Sequence, residues 1–144
     1  MLTSPRLSAL LALSTALAGA PALAEMNRSL NLNGTTGLID MPSGDAQEDA
    51  RFTFSTALVG SITRATISFQ ITERLSGSFR FQTWRDWDKL FPGDDSKYED
   101  RSFDLRYQIL KEGACVPALT IGLQDFTGNG TFASEYIAAT KTFG

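Results

Sequence analysis

Apolar and polar residues alternate with a period of two along several stretches of this chain. The clearest are Ala65-Thr66-Ile67-Ser68-Phe69-Gln70-Ile71, Ser78-Phe79-Arg80-Phe81-Gln82 and Ser102-Phe103-Asp104-Leu105-Arg106-Tyr107-Gln108-Ile109. Successive side chains of a strand point to opposite faces, so each stretch carries one apolar face and one polar face. The pattern predicts strands over residues 51–58, 63–71, 77–84, 102–110, 118–125 and 132–142. Residues 72–76 and 111–117 read as short turns at one end. Residues 85–101 read as a long polar loop at the other, with 59–62 and a tight turn at Gly128-Asn129-Gly130 on that same end. Such alternation of short and long connections suits an all-β fold. The expectation is an antiparallel up-and-down meander of about six strands, forming part of a transmembrane β-barrel.

Parity gives an internal check, since a one-residue slip in a hairpin reverses every face. Pairing Gln70 with Ser78 sets Ser68 against Arg80 and Thr66 against Gln82, with Phe69 beside Phe79 on the other side. Around the second short turn, Gln108 with Thr120 brings Arg106 opposite Gly122 and Asp104 opposite Gln124. The last strand is less regular, because Glu135 and Lys141 share parity with Ile137 and Ala139.

The first residues stand apart from this pattern. Met1 to Arg6 form a short region with one cation, residues 7–20 an apolar run, and Ala22-Leu23-Ala24 a small-residue cleavage site. These are the parts of a signal peptide, so export is expected, with residues 1–24 removed and a mature chain from Glu25. The apolar run falls short of the ~20 residues that span a bilayer. No cysteine follows it, so a lipid-modified start is not expected. Residues 25–50 are rich in Asn, Gly, Thr, Ser, Pro and Asp, and read as an irregular lead-in that tucks against or into the barrel. Residues 51–144 form the barrel segment.

Composition narrows the chemistry. The formal charge of the 144 residues is −3, and losing Arg6 with the signal makes the mature chain slightly more acidic. That argues against nucleic-acid binding, which needs a basic face. The chain has no histidine and one cysteine, Cys115, which removes histidine-based nucleophile triads, histidine metal sites and an internal disulfide together. No catalytic residue, cofactor or metal is expected.

The apolar stripe faces either lipid or, as in a lipocalin-like barrel, a dry interior; alternation alone does not choose between them. Export and the polar stripe favour lipid, because Arg64, Gln70, Arg80, Gln82, Asp104, Arg106 and Gln124 suit a hydrated lumen. Trp84, Trp87, Phe91, Tyr98 and Phe126 fall near the proposed outer rim, where an aromatic girdle belongs. Arg64, Arg80, Asp104 and Arg106 are the candidate substrate-binding residues, as a lumenal ladder that holds an anionic polymer through charge-assisted hydrogen bonds. The plainer alternative is mutual neutralisation of Asp104 and the arginines inside the barrel. The loop acids Asp86, Asp88, Asp94, Asp95, Glu99 and Asp100 could serve glycoside hydrolysis or Ca²⁺ binding, but a solvated loop accounts for them. Gly128-Asn129-Gly130-Thr131-Phe132-Ala133 matches a dinucleotide fingerprint in form only, because no βαβ unit surrounds it.

Several phrases together carry a family resemblance: Gly34-Thr35-Thr36-Gly37-Leu38-Ile39-Asp40-Met41-Pro42, Arg74-Leu75-Ser76-Gly77-Ser78-Phe79-Arg80, Tyr98-Glu99-Asp100-Arg101-Ser102-Phe103-Asp104-Leu105-Arg106-Tyr107 and Glu135-Tyr136-Ile137-Ala138-Ala139-Thr140-Lys141-Thr142-Phe143-Gly144. They resemble the N-terminal part of the YjbH family of outer-membrane β-barrel proteins associated with exopolysaccharide biosynthesis and export. The resemblance implies a non-enzymatic scaffold or conduit in the outer membrane. The partners it implies are membrane lipid, an exopolysaccharide and other polysaccharide-export proteins. A soluble periplasmic barrel that binds a sugar or lipid is the alternative, and an envelope glycosidase a more remote one. Family members are several times longer, and six strands fall short of the eight in a small closed barrel. The chain is therefore expected to be a fragment, a truncated product or a piece that needs a partner.

Overall fold

The computed structural model describes residues 28–143; the expected signal peptide and its cleavage at Glu25 lie outside them. Within the lead-in, β1 (Gly37–Leu38) and β2 (Met41–Pro42) form a tight hairpin. Six strands come after it: β3 (Phe52–Val59), β4 (Ile62–Gln70), β5 (Leu75–Arg85), β6 (Lys97–Leu110), β7 (Ala118–Gly128) and β8 (Ser134–Thr140). They pair in sequence order as one antiparallel sheet whose edges are β3 and β8. The described sheet is open.

The alternation is realised with an inverted sense. Thr66, Ser68, Gln70, Ser78, Arg80, Gln82, Asp100, Ser102, Asp104, Arg106, Gln108 and Thr120 are buried on one face. Phe52, Phe54, Phe69, Phe103, Tyr107, Ile121, Leu123 and Ile137 are exposed on the other, with Phe52 at 67% and Ile137 at 74% of full accessibility. A water-soluble sheet hides its apolar face, because burial of apolar surface drives folding. Here the packed interior is polar. The irregular parity of the last strand has a positional cause: Glu135 stands at one end of β8, and Lys141, past the other end, bonds the Gly113 carbonyl at the rim.

Three details of the connections differ from expectation. Across the turn after β4, Gln70 pairs with Ser76, Ser68 with Ser78 and Thr66 with Arg80, two residues away from the expected register. Ile67 therefore meets Phe79, and Phe69 lies over Gly77. A slip of two keeps every face, so parity could not detect it. Second, residues 85–101 are not one loop. Helix α1 (Trp87–Leu90) begins after Asp86, which takes a left-handed conformation, and β6 already begins at Lys97. Third, β7 continues to Gly128 along β6, whereas its pairing with β8 stops at Gln124 opposite Ser134. The connection to β8 is thus a wide loop, not a tight turn at Gly128-Asn129-Gly130.

The second short turn holds the expected register, with Gln108 opposite Thr120 and Arg106 opposite Gly122. It then breaks at a β-bulge facing Asp104. Asp125, at φ 51°, is the turned residue, so Asp104 meets the Asp125 amide and not Gln124. Two steps on β6, Leu105 to Phe103, face four on β7, Leu123 to Thr127, so β7 carries two extra residues, and such an insertion re-aims the side chains within it. Asp125 is consequently buried and Phe126 exposed inside the bulge, and the earlier parity resumes with Thr127 opposite Phe103.

Candidate functional site: the inward polar face and its lead-in

The inward face is a hydrogen-bonded layer because its side chains are long and polar, and buried polar groups need partners. The structure places all four candidate residues there: Arg64 on β4, Arg80 on β5, and Asp104 and Arg106 on β6. It joins only two of them directly. Arg80 Nη1 donates to Asp104 Oδ2 at 2.9 Å and Nη2 to Oδ1 at 3.4 Å, with both side chains almost fully buried. Asp104 also accepts from Ser78 Oγ at 3.2 Å and from the Asp125 amide at 2.8 Å. The carboxylate is saturated, which is the neutralised outcome. A buried pair of this kind is weak evidence for net stability but costly to break from one side.

Arg64 belongs to a second chain of contacts. Its Nη1 lies 3.3 Å from Asp40 of the β1–β2 hairpin, its Nε donates to Gln82 Oε1 at 3.2 Å, and Gln82 Nε2 donates to Asp100 Oδ2 at 2.7 Å. Asp100 is therefore an inward residue of β6 and not a loop acid. Continuing the alternation back from Ser102 would have found it.

Arg106 turns to the lead-in. Its Nη1 donates to Thr36 Oγ1 at 2.5 Å, and its Nη2 to the carbonyls of Ser43 at 2.6 Å and Asp45 at 3.4 Å. Beside it, Gln108 Nε2 and Thr120 Oγ1 both donate to the Gly44 carbonyl at 2.8 Å. The Gly44 amide donates to Thr140 Oγ1 at 2.8 Å, and the Gln47 amide to Gln70 Oε1 at 3.2 Å. Two glycines allow this approach. A Cβ on Gly44 would fall 2.4 Å from the Ala118 carbonyl, and one on Gly34, at φ 77°, 2.6 Å from the Thr66 Cβ. The gap left among Thr36, Gln47, Ser68, Gln70, Ser78 and Arg106 is about 10 Å³, about one water at most. The lead-in seals this part of the face. A polar cavity of about 790 Å³ opens beside it at the short-turn end, lined by Arg28, Asp45, Gln47, Glu48, Arg51 and Glu112.

Sequence reasoning missed Thr36, Ser43 and Gly44 as partners, because two of the three act through backbone carbonyls that leave no side-chain signature. The predicted aromatic girdle is also revised. Trp84 and Tyr98 share parity with the inward residues, and they pack with Trp87, Phe91 and Phe132 into one cluster: Trp84 stacks on Phe132 at 5.2 Å and Trp87 on Tyr98 at 4.5 Å. Of the five predicted rings, Phe126 is the one on the outward face of its strand. The cluster closes the long-loop end of the interior.

Of the loop acids, Asp86 is ion-paired with Lys89 at 3.0 Å on the exposed side of α1, and Asp94 accepts from Trp87 Nε1 at 3.2 Å. Among the described residues, no group of three or more Asp, Glu or Cys side chains is placed to hold a metal ion.

This arrangement defines an all-β protein with a polar, segment-filled inner face and an apolar outer one. A family model described as "Exopolysaccharide biosynthesis protein YbjH" matches residues 29–144, and the chain belongs to this YjbH family. It is 28% identical over 138 residues to the "Uncharacterized lipoprotein YjbH" of Escherichia coli (strain K12), an alignment that covers 93% of this chain and 20% of that protein. The chain thus spans about a fifth of the length of the curated relative it matches. No solved structure matches it.

Proposed function

We propose that this chain is part of an outer-membrane β-barrel that takes part in exopolysaccharide export as a scaffold or conduit. The inverted sheet is the observation that carries the reading. Exposed Phe, Leu and Ile on one face and buried Arg, Asp and Gln on the other suit lipid outside and water or polymer inside. Strand length agrees for the central strands: β4 has 9 residues and β5 and β7 have 11 each, within the about 9–11 of a tilted strand that crosses a bilayer, while β6 is longer at 14 and the edge strands β3 and β8 shorter at 8 and 7. In lipid, the edges at β3 and β8 require further strands, from the same polypeptide or a partner, because an unpaired backbone group there costs several kcal/mol. The family supplies the link to exopolysaccharide. The lipoprotein name of the relative supports a place in the envelope, although the one cysteine here, Cys115, lies in the turn between β6 and β7.

The reading is non-enzymatic, supported by the solvent-exposed ion pair of Asp86 and the absence of histidine. A soluble sugar- or lipid-binding barrel would need the opposite orientation of Phe52, Phe54 and Ile137. Envelope fractionation and detergent extraction test the proposal. The protein should sediment with outer membrane and aggregate without detergent, and loss of its gene should lower secreted polysaccharide. A monomer that stays soluble without detergent would remove the membrane reading. If Asp86→Asn with Asp88→Asn shortened or lengthened the polymer, the non-enzymatic reading would fail.

A further inference from the structure

The two buried arginines are compensated by different chemistry. Arg80 has a carboxylate, Asp104, at 2.9 Å. Arg106 hydrogen-bonds a hydroxyl and two backbone carbonyls, all neutral; the Nε of both arginines is without a hydrogen-bond partner among the described residues, so the difference lies in what their Nη atoms meet. The nearby Asp45 carboxylate is taken by Arg28 at 2.5 Å. The Tyr136 hydroxyl stands beside the guanidinium, and the Asp45 and Asp104 carboxylates attract it from further off without hydrogen-bonding it. A guanidinium binds a carboxylate in bidentate, charge-assisted fashion about twice as strongly as it binds neutral acceptors. The lead-in therefore holds Arg106 with the weaker class of partner.

We propose that residues 36–45 stand in for an acidic sugar chain. Arg106 is then a masked anion site that, once the lead-in shifts, selects carboxylate-bearing polysaccharide over neutral polysaccharide. The inference rests on the proposed polysaccharide role and names its substrate class. Gln108 and Thr120, which now donate to the Gly44 carbonyl, become free to donate to sugar oxygens in the same movement. The short hydroxyl-and-carbonyl row of Thr36, Ser43 and Asp45 occupies the line along which the polymer's oxygens would lie. Asp104 and Arg80 remain paired throughout.

The test uses the whole protein in detergent micelles, titrated calorimetrically with oligogalacturonate and with dextran of matched length. Wild-type protein should prefer oligogalacturonate, and Arg106→Gln should bring the ratio of the two affinities to about one, a loss of roughly tenfold in preference. Thr36→Val removes one of the lead-in's holds and should raise oligogalacturonate affinity by about fivefold. These opposite signs separate the inference from simple misfolding. In a Cys115→Ser background, Asp40→Cys and Arg64→Cys joined by a bis-maleimide fix the lead-in to β4; binding should disappear relative to the unjoined double variant. Equal binding of the two sugars by wild type and Arg106→Gln alike would overturn the inference and leave the conduit reading standing. Undiminished binding by the joined variant would overturn it too. If neither sugar binds wild-type protein, the polysaccharide role falls with it.

Discussion

Arg80 and Arg106 lie on neighbouring strands of one sheet and are buried to a similar degree, yet they divide the inward face into two unlike halves. Around Arg80 the partners come from the sheet itself: Ser78 and Arg80 on β5 bond Asp104 on β6, and Gln82 bonds Asp100, although Arg80 Nε and Asp100 Oδ1 have no partner among the described residues. Around Arg106 the sheet depends on residues 63 to 70 positions earlier, through Thr36, Ser43 and Gly44. One half is a fixed strut of the wall; the other is a socket with a removable occupant.

The largest effect should come from Asp104→Ala, which strands the Arg80 charge in the interior. A loss of about 3–5 kcal/mol is expected, read as a fall in the unfolding midpoint in detergent. Gly44→Val comes next. Its side chain meets the Ala118 carbonyl, so the lead-in should detach at a cost of about 1–3 kcal/mol, seen as new protease cleavage between residues 28 and 50 with the sheet intact. Thr120→Val should cost about 1 kcal/mol and loosen the same segment without ejecting it. An equal loss of lead-in protection in Asp104→Ala and Gly44→Val would erase the distinction between the halves.

The smallest effect concerns the short-turn end. The Thr142 amide bonds Glu112 at 2.7 Å, and Lys111 bonds Glu73 at 2.7 Å; each holds its carboxyl below the usual range. A carboxyl whose folded pKa is depressed contributes stability above its unfolded value, about 4.3 for Glu, and loses it as pH falls through the lower folded value. The protection of the Thr142 amide, the slowing of its exchange relative to an unstructured chain at the same pH, should therefore stay constant from neutral pH down to about 5 and fall only below about 4. Salt should weaken the exposed Lys111–Glu73 pair at every pH above that. Protection already falling at pH 6 would refute the assignment.

Much of the wall was legible in the residues. Period-two alternation placed β3 at 51–58 against the observed Phe52–Val59, and β4 at 63–71 against Ile62–Gln70. It also placed Arg64, Arg80, Asp104 and Arg106 on one face. What parity cannot do is count pairs, and the first short turn was therefore misregistered by two while every face stayed correct. It also assumes an unbroken period, so the bulge at Asp125 passed unseen and Asp104 was assigned the wrong neighbour. The polar loop at 85–101 concealed strand because Lys97, Glu99 and Arg101 are charged on the outward side and mask the inward Tyr98, Asp100 and Ser102. The socket around Arg106 was hidden for a different reason: its acceptors are main-chain oxygens, common to every sequence.

The two glycines at 34 and 44 carry a consequence for how such a segment can change over generations. Between them the groove also reads the Thr36 hydroxyl and the Asp40 carboxylate, so the side chains free to drift are the exposed ones, Leu38, Ile39 and Met41. A replacement lead-in would dock equally well if it kept those two gaps and those two polar groups, whereas a single added methyl group at either gap would act like a key cut too thick for its slot.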